Sequence, residues 1–252
     1  MSKSLKPLAD ICEEASRVAQ ALDHSRIPLR LLGGAAIWLR CPSANHELLR
    51  REYADLDFIS LHSKAAEVKQ FLTALGYEAD KYFNSLHGRS RLLFHDPYNA
   101  RQVDVLFDEM IMCHKLDFRS RISIDPRTLP LADLLLTKLQ IVQTNPKDIT
   151  DLVTLFCDHA ITDQDGDSIN GKYISRLTAN DWGLYRTIQL TLEAVREHAR
   201  SLPQIGAYAI DQQTQALWAM MAAEPKSLKW KMRAQVGDRV QWYELPEEVR
   251  RS

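Results

Sequence analysis

The chain has 252 residues, of which 45% are hydrophobic and 26% charged, and its formal net charge is −1. This composition is ordinary for one large globular domain or two small ones, and it excludes a chain-wide positive field of the kind that attracts nucleic acid. The four scattered cysteines form no C-x-x-C pair, which argues against a zinc cluster. The chain has no signal-peptide core and no apolar run near 18 residues, which predicts a cytoplasmic protein that does not enter a membrane.

The first part of the chain alternates helical and strand-like patterns. Apolar residues at steps of three and four predict an amphipathic helix over residues 5–22, with Pro7 in its first turn. The segment 63–76 has the same period, with Ser63 as its N-cap and Gly76 as its stop. Between these helices the pattern predicts a strand over 27–32, a short helix over 35–40 and a strand over 55–62.

Further along the chain, strand patterns give way to helical ones. Two runs separated by the turn sequence "PYNA" predict an antiparallel hairpin, 90–96 with 101–110, and 109–124 is predicted to continue in extended form. From Leu129 the period is helical, in 129–143, 146–160, 174–202 and 211–224. Strands followed by helices predict an α+β fold, with a core of a short mixed sheet over 1–128 and a helical C-terminal region over 129–252.

Two aspartates flank one leucine in the predicted strand 55–62. Alternate residues of a strand face the same side, so Asp55 and Asp57 lie with their Cβ atoms roughly 7 Å apart while Leu56 faces the core. Carboxylates this close repel each other, and they stay ionised when a cation lies between them. A hard divalent ion such as Mg²⁺ fits such an oxygen-donor pair.

Asp104 lies between two valines in the second strand of the predicted hairpin. If that strand lies beside the strand of Asp55 and Asp57, the three acids form one carboxylate cluster. Such a cluster can hold two metal ions for phosphoryl or nucleotidyl transfer, and one carboxylate can accept the proton of the attacking hydroxyl.

Gly33 and Gly34 stand between a predicted strand and a predicted helix. Glycines at such a place let backbone N–H groups approach a phosphate closely, and the helix N-terminus adds positive potential. The chain contains neither G-x-G-x-x-G nor G-x-x-x-x-G-K-[ST], so a Rossmann loop and a Walker loop are both excluded.

These motifs, in this order, resemble the nucleotidyltransferase superfamily with the DNA polymerase β-like fold. The likeness is greatest to minimal nucleotidyltransferases of the AbiEii toxin and antibiotic-nucleotidylating kind. The shared pattern is a Gly-Gly or Gly-Ser turn, an arginine before the acids, an Asp-x-Asp and a third aspartate on a later strand. It continues with a lysine on a helix, a Lys-Asp and a further aspartate, here Lys138, Lys147, Asp148 and Asp151, so the resemblance spans about residues 29–156.

The resemblance implies a polymerase β-like core and a Mg²⁺-dependent enzyme. Such an enzyme transfers a nucleoside monophosphate from ATP or another NTP to a hydroxyl of a protein, a tRNA or a small molecule, and releases pyrophosphate. By the resemblance, the catalytic and metal-binding residues for two Mg²⁺ ions are Asp55, Asp57 and Asp104. The nucleotide-binding residues are Gly33, Gly34, Arg51 and Lys138.

Some positions depart from the family pattern, and simpler interpretations of the same residues stay open. Gly34 stands where many members have a serine, and Tyr53 stands where the threonine is usual. The acids could be solvated residues at a strand end, and the glycines an ordinary tight turn. Lys138 could extend from the core edge to solvent, and Arg51 could pair with an acid.

Two other classes of function also stay open. One is a non-catalytic descendant that binds a nucleotide or a partner protein, such as a toxin–antitoxin component. The other is a helical adaptor that uses residues 170–223. The basic segment 224–239 with Trp230, and the arginines of 117–127, could contact RNA or form ordinary solvated surface.

Overall fold

The computed structural model describes residues 6–245 and divides the chain into two units. The first unit contains the described residues up to His46, together with Arg50–Met110 and Asp117–Pro130. The second unit contains Glu47–Leu49, Ile111–Leu116 and the described residues from Leu131 onward.

A five-stranded mixed sheet forms the centre of the first unit. Its strands are β1 (Arg30–Leu32), β2 (Leu56–Ser60), β3 (Glu78–Ala79), β4 (Arg91–Asp96) and β5 (Arg101–Phe107). The spatial order is β1-β2-β5-β4-β3, in which β2 and β5 are parallel and every other pair is antiparallel. The mixed sheet, the β4–β5 hairpin and the pairing of the Asp104 strand with the Asp57 strand are thereby confirmed.

One face of this sheet is the apolar core of the unit. The pairing registers place alternate residues of the three central strands on the same face, and their side chains are fully buried: Leu56, Phe58, Leu92, Phe94, Val103 and Val105. Burial of each such side chain stabilises the fold by roughly 1.5–3 kcal/mol. The opposite face carries the polar residues Asp57, Arg91 and Asp104.

The described residues of the first unit form four α-helices: α1 (Ile11–Asp23), α2 (Gly33–Arg40), α3 (Ala65–Ala74) and α4 (Lys81–His87). The sequence pattern did not predict α4, and the predicted start of α1 is wrong. The helix begins at Ile11 because the Asp10 carboxylate accepts the N–H groups of Cys12 and Glu13, both at 2.9 Å. Pro7 therefore precedes the helix, and residue 5 lies outside the described residues.

The ends of α3 confirm one sequence prediction and correct another. Gly76 follows the helix with φ +100°, and its N–H donates to the carbonyl of Thr73 at 3.1 Å, as expected of a helix stop. Ser63 is not the N-cap, because it lies within a short 3₁₀ turn and Lys64 occupies the cap position.

The segment 109–124 is mostly irregular, contrary to the extended prediction. It contains the short strands β6 (Glu109–Ile111) and β7 (Lys115–Asp117), and the rest forms bends and turns.

The second unit is mainly helical, as predicted. Its helices are α5 (Leu131–Leu139), α6 (Pro146–Asp158), α7 (Gly171–Thr178), α8 (Trp182–Arg200), α9 (Ala207–Ala223) and α10 (Leu228–Val236). Two short strands, β8 (Ile161–Thr162) and β9 (Ile169–Asn170), pair in parallel. The predicted helix 174–202 is interrupted and contains the end of α7 and all of α8. The helix α8 begins at Trp182 because Asp181 caps it by accepting the N–H of Leu184 at 3.0 Å. Within residues 6–245, none of the helices has the length and apolar character needed to span a membrane.

Candidate functional site

Two of the predicted acids lie side by side in the sheet. Asp57 in β2 is directly in register with Asp104 in β5, 47 residues later in the chain. Neighbouring strands are about 4.8 Å apart, and residues in register on parallel strands share a face. Asp55 immediately precedes β2 and is partly exposed, so it lies at the end of this face.

The glycine turn between β1 and α2 contacts one of these carboxylates. Gly33 has φ +70°, a conformation that side chains with a Cβ disfavour. A Cβ at this position would lie 2.6 Å from Oδ2 of Asp57, which is too close for any real contact. A glycine at 33 therefore allows both the turn and the close approach of the backbone to the acid.

The N-terminus of α2 has no side-chain cap. Its N-cap residue is Leu32, whose side chain cannot accept a hydrogen bond. The first N–H groups of a helix have no partner within the helix, so such an end is suited to binding an anion.

Gly34 accommodates the arginine that precedes the acids. A Cβ at Gly34 would overlap the guanidinium of Arg51 and come within 2.9 Å of the ring of Tyr53. The guanidinium lies 4.3 Å from the centre of the Tyr53 ring, and its Nη1 donates to the carbonyl of Glu52 at 3.0 Å. Tyr53 thus forms a cation–π contact that a threonine at this position could not form.

An open cavity of about 840 Å³ lies beside these residues in the first unit. Arg51 and Tyr53 are part of its wall, together with Trp38 near the end of α2 and the first turn of α1. Ligand pockets for molecules of nucleotide size have volumes of about 300–1,000 Å³. The cavity is thus large enough for such a ligand, and Arg51 connects it to the glycine turn.

Arg91 in β4 forms an ion pair with the third acid. Its Nε donates to Oδ1 of Asp104 at 2.7 Å, and the side chains are 34% and 12% exposed, respectively. The hydrogen bond to Asp104, together with the charges of Asp104 and Asp57, raises the pKa of Arg91 against the opposing effect of burial. The face that carries the acids therefore also carries a fixed positive charge.

Within the described residues, no three His, Cys, Asp or Glu side chains form a group that could hold a metal ion. The predicted three-carboxylate cluster is therefore not assembled in this conformation. The donor chemistry nevertheless fits Mg²⁺, since this ion commonly binds one or two carboxylates and completes its shell with water and substrate phosphates. Asp57 and Asp104 supply such a pair, and the absence of a Cβ at Gly33 leaves room against Asp57.

Lys138, the fourth predicted nucleotide-binding residue, belongs to the second unit. Its Nζ lies 2.7 Å from Oδ1 of Asp148 and 3.0 Å from Oδ2 of Asp151, and all three side chains are largely buried. Burial lowers the pKa of Lys138, but the carboxylates of Asp151 and Asp148 outweigh this effect and raise it. Lys147, by contrast, is exposed. Lys138, Asp148 and Asp151 thus form a buried ionic cluster, to which Lys147 does not belong.

Arg91 was not among the predicted site residues, although the sequence contains a signal for it. Asp96 and Arg101 pair across the hairpin turn, so counting outward from "PYNA" pairs Leu93 with Asp104. Arg91 is two residues before Leu93 and therefore lies on the same face, diagonal to Asp104, within reach of a long side chain.

Comparison with known proteins gives little for this chain. Neither a family model nor a curated protein matches it. Among solved structures, it is similar to the lincosamide antibiotic adenylyltransferase LnuA in its lincomycin-bound crystal structure. The sequence identity is 15%, the TM-score is 0.39, and the match covers 57% of this chain and 94% of that chain.

Proposed function

We propose that this protein is a Mg²⁺-dependent nucleotidyltransferase that moves a nucleoside monophosphate from an NTP to a hydroxyl acceptor. We assign this function to a polymerase β-like core over residues 1–128, and the acceptor is a protein, a tRNA or a small molecule. The observation that carries the proposal is the register of Asp57 with Asp104, on a sheet face against which the Gly33 turn packs.

Each residue of this face has a role in the proposed reaction. Asp57 and Asp104, with Asp55 at the end of the face, would hold the two metal ions. When bound, Mg²⁺ neutralises the charge that develops on the phosphates. The N–H groups at Gly33 and Gly34 donate to the β- and γ-phosphates, and the guanidinium of Arg51 balances the triphosphate charge. The nucleotide contact of Lys138, which belongs to the second unit, stays a prediction from the resemblance.

The reaction forms one bond and breaks one bond. The acceptor oxygen forms a bond to the α-phosphorus of the NTP. The bond between that phosphorus and the oxygen that bridges the α- and β-phosphates breaks, and pyrophosphate leaves with the electron pair. The proton of the acceptor hydroxyl passes to a carboxylate of the face, for which Asp104 is our choice. Positioning and charge stabilisation supply most of the rate, as in other phosphoryl transfers.

One observation favours a second candidate, a non-catalytic protein that binds a nucleotide or a partner, such as a toxin–antitoxin component. Arg91 already neutralises Asp104, and a permanent ion pair there would leave the metal with fewer ligands. This candidate keeps nucleotide binding at the glycine turn and lacks transfer.

Label transfer separates the two candidates. The purified protein is incubated with Mg²⁺ and each α-labelled NTP, in the presence of cell-lysate proteins, total tRNA or small hydroxylated acceptors. Asp57→Asn removes the charge of one carboxylate at constant size, and Glu67→Gln is the matched control on the exposed surface of α3. We expect transfer with the wild type and the Glu67→Gln variant, and a loss of at least about 100-fold with Asp57→Asn.

Two results would contradict the enzyme proposal. One is nucleotide binding by calorimetry without transfer to any acceptor, which would favour the non-catalytic candidate. The other is undetectable binding of every NTP, which would exclude the enzyme and a nucleotide-binding role and leave only the partner-binding form of the second candidate.

A further inference from the structure

The metal-binding face holds a basic side chain where the proposed function needs a vacant carboxylate. Asp104 has Asp57 beside it on β2 and Leu93 beside it on β4. Arg91 reaches diagonally across the β4–β5 hairpin to Oδ1 of Asp104 at 2.7 Å. The arginine thus binds an oxygen that the proposed metal site would use.

The surroundings hold Arg91 in this position. The guanidinium carbon lies 5.6 Å from the centre of the Phe83 ring in α4, at cation–π distance. His95, which shares the strand face with Arg91, is directed to Asp80 at 3.1 Å. Asp104 therefore receives its charge-assisted hydrogen bond from Arg91, in a partly buried setting where such bonds are stronger than at an open surface.

Two adjacent carboxylates without a counter-ion repel each other. The guanidinium provides positive charge at Asp104 when no divalent ion is present. A divalent ion coordinated to Asp104 would lie close to the guanidinium, and the two positive charges repel each other, so the metal and Arg91 compete for this carboxylate.

We propose that Arg91 is a resident counter-ion of Asp104 and that a divalent cation binds at this carboxylate by displacing it. This inference rests on the proposed function, because it concerns the same metal site. Arg91 acts here as a positioning residue: it sets the metal affinity of the free protein and holds the Asp104 carboxylate in place. Nucleotide supplies further ligands, so the metal displaces Arg91 more readily in its presence.

Metal affinity in the absence of nucleotide tests this inference directly. Binding of Mn²⁺ is measured on the full chain by electron paramagnetic resonance and by calorimetry. Arg91→Gln removes the competing charge, and we expect Mn²⁺ to bind about ten-fold more tightly, which matches the loss of one partly buried ion pair. Arg89→Gln removes a charge from an exposed residue two positions away, and we expect the wild-type affinity.

The sign of the change distinguishes competition from structural damage, because a distorted site binds metal more weakly. Asp104→Asn combined with Arg91→Gln should abolish the gained affinity and so place it at Asp104. Arg91→Lys keeps the charge and loses the Nε–H donor, so a smaller gain of about three-fold is expected. That variant serves as the test if Arg91→Gln fails to give a wild-type circular dichroism spectrum. Unchanged or weaker Mn²⁺ binding in Arg91→Gln, or in Arg91→Lys where it is the test, would overturn the inference.

The outcome is independent of the transfer assay. Tighter Mn²⁺ binding by Arg91→Gln, with no label transfer by any variant, would uphold the counter-ion role and contradict the enzyme. Label transfer by the wild type, with unchanged Mn²⁺ affinity in Arg91→Gln, would uphold the enzyme and contradict the counter-ion role.

Discussion

At the scale of single residues, the candidate site depends on a glycine as well as on its acids. The alternation of its strand predicts the orientation of Asp57. The carboxylate of Asp57, however, lies against the backbone of Gly33, where a side chain with a Cβ would not fit. The φ of +70° and the 2.6 Å approach of a hypothetical Cβ to Oδ2 are two independent reasons for a glycine. Substitution there tests the turn and the acid together.

We expect Gly33→Ala to lower transfer activity by about 100-fold, because the Cβ must push the Asp57 carboxylate away from its position. It should also cost about 1–2 kcal/mol of unfolding free energy, from the left-handed backbone alone. Activity and urea denaturation are measured on the same preparation.

Gly206→Ala is the matched control. Its φ is +79°, close to that of Gly33, but a Cβ there meets nothing within 4 Å. The control should show the stability loss without the activity loss. Equal activity losses in the two variants would mean that backbone strain, and not contact with Asp57, is responsible.

At the scale of elements, α5 and α6 are joined by a buried ionic cluster. Asn145 and Asp148 form a capping box at the start of α6, and Asp148 and Asp151 both contact Lys138 of α5. The three side chains are 15%, 9% and 3% exposed, so solvent screens their charges little. The raised pKa of Lys138 means that its stabilising charge is complete below the ordinary lysine value and is lost as the pH rises through the raised value.

Because removal of one partner leaves buried charges uncompensated, we expect Lys138→Met to lower the unfolding free energy of the protein by about 3 kcal/mol at pH 7. Urea denaturation measures this loss. Adding Asp148→Asn and Asp151→Asn in the same chain should restore a large part of it.

The same variants examine the proposed nucleotide contact of Lys138. If Lys138 binds the triphosphate, the triple variant regains stability but keeps a raised KM for NTP. A wild-type KM in the stable triple variant would contradict the nucleotide-binding role and leave Lys138 with a structural one.

At the scale of the whole molecule, charge balance limits what the protein can attract. The formal net charge of −1 provides no long-range field for nucleic acid. The basic segments are also engaged locally: Arg127 pairs with Asp23, and Lys226 donates to the Glu224 carbonyl at 2.7 Å. Trp230 packs edge-on against Tyr185 at 5.2 Å, as an anchoring residue of a helix face does.

We therefore expect total tRNA to bind no more tightly than about 10⁻⁵ M at 150 mM salt, which is within the range of non-specific association. Filter binding across a salt series measures this affinity. We also expect Lys229→Glu with Lys231→Glu, on α10, to leave it unchanged. Binding near 10⁻⁸ M with a steep salt slope that the double variant abolishes would instead identify α10 as an RNA-binding surface.

The elements whose signals are local were predictable from the chain alone. Alternation in β2, the Gly33–Gly34 turn, the hairpin turn and the helical periods depend on residues within a few positions of each other. Helix starts were less predictable. The helix α1 is capped by Asp10, whereas the sequence pattern placed its first turn at Pro7. The helix α8 is capped by Asp181, which lies inside what the sequence shows as one continuous apolar period. The helix α4 was missed because its seven residues are too few to show a clear period.

The sequence by itself determined that Asp55 and Asp57 alternate with a buried leucine and that a glycine turn precedes them, since these are properties of adjacent residues. Only the tertiary structure decided which distant groups meet them. It placed Asp104 beside Asp57, paired Asp104 with Arg91, stacked Arg51 on Tyr53 against Gly34, and joined Lys138 to Asp148 and Asp151. The physical reason is that strand register and helix packing are set by burial of the whole apolar face, which no short segment contains.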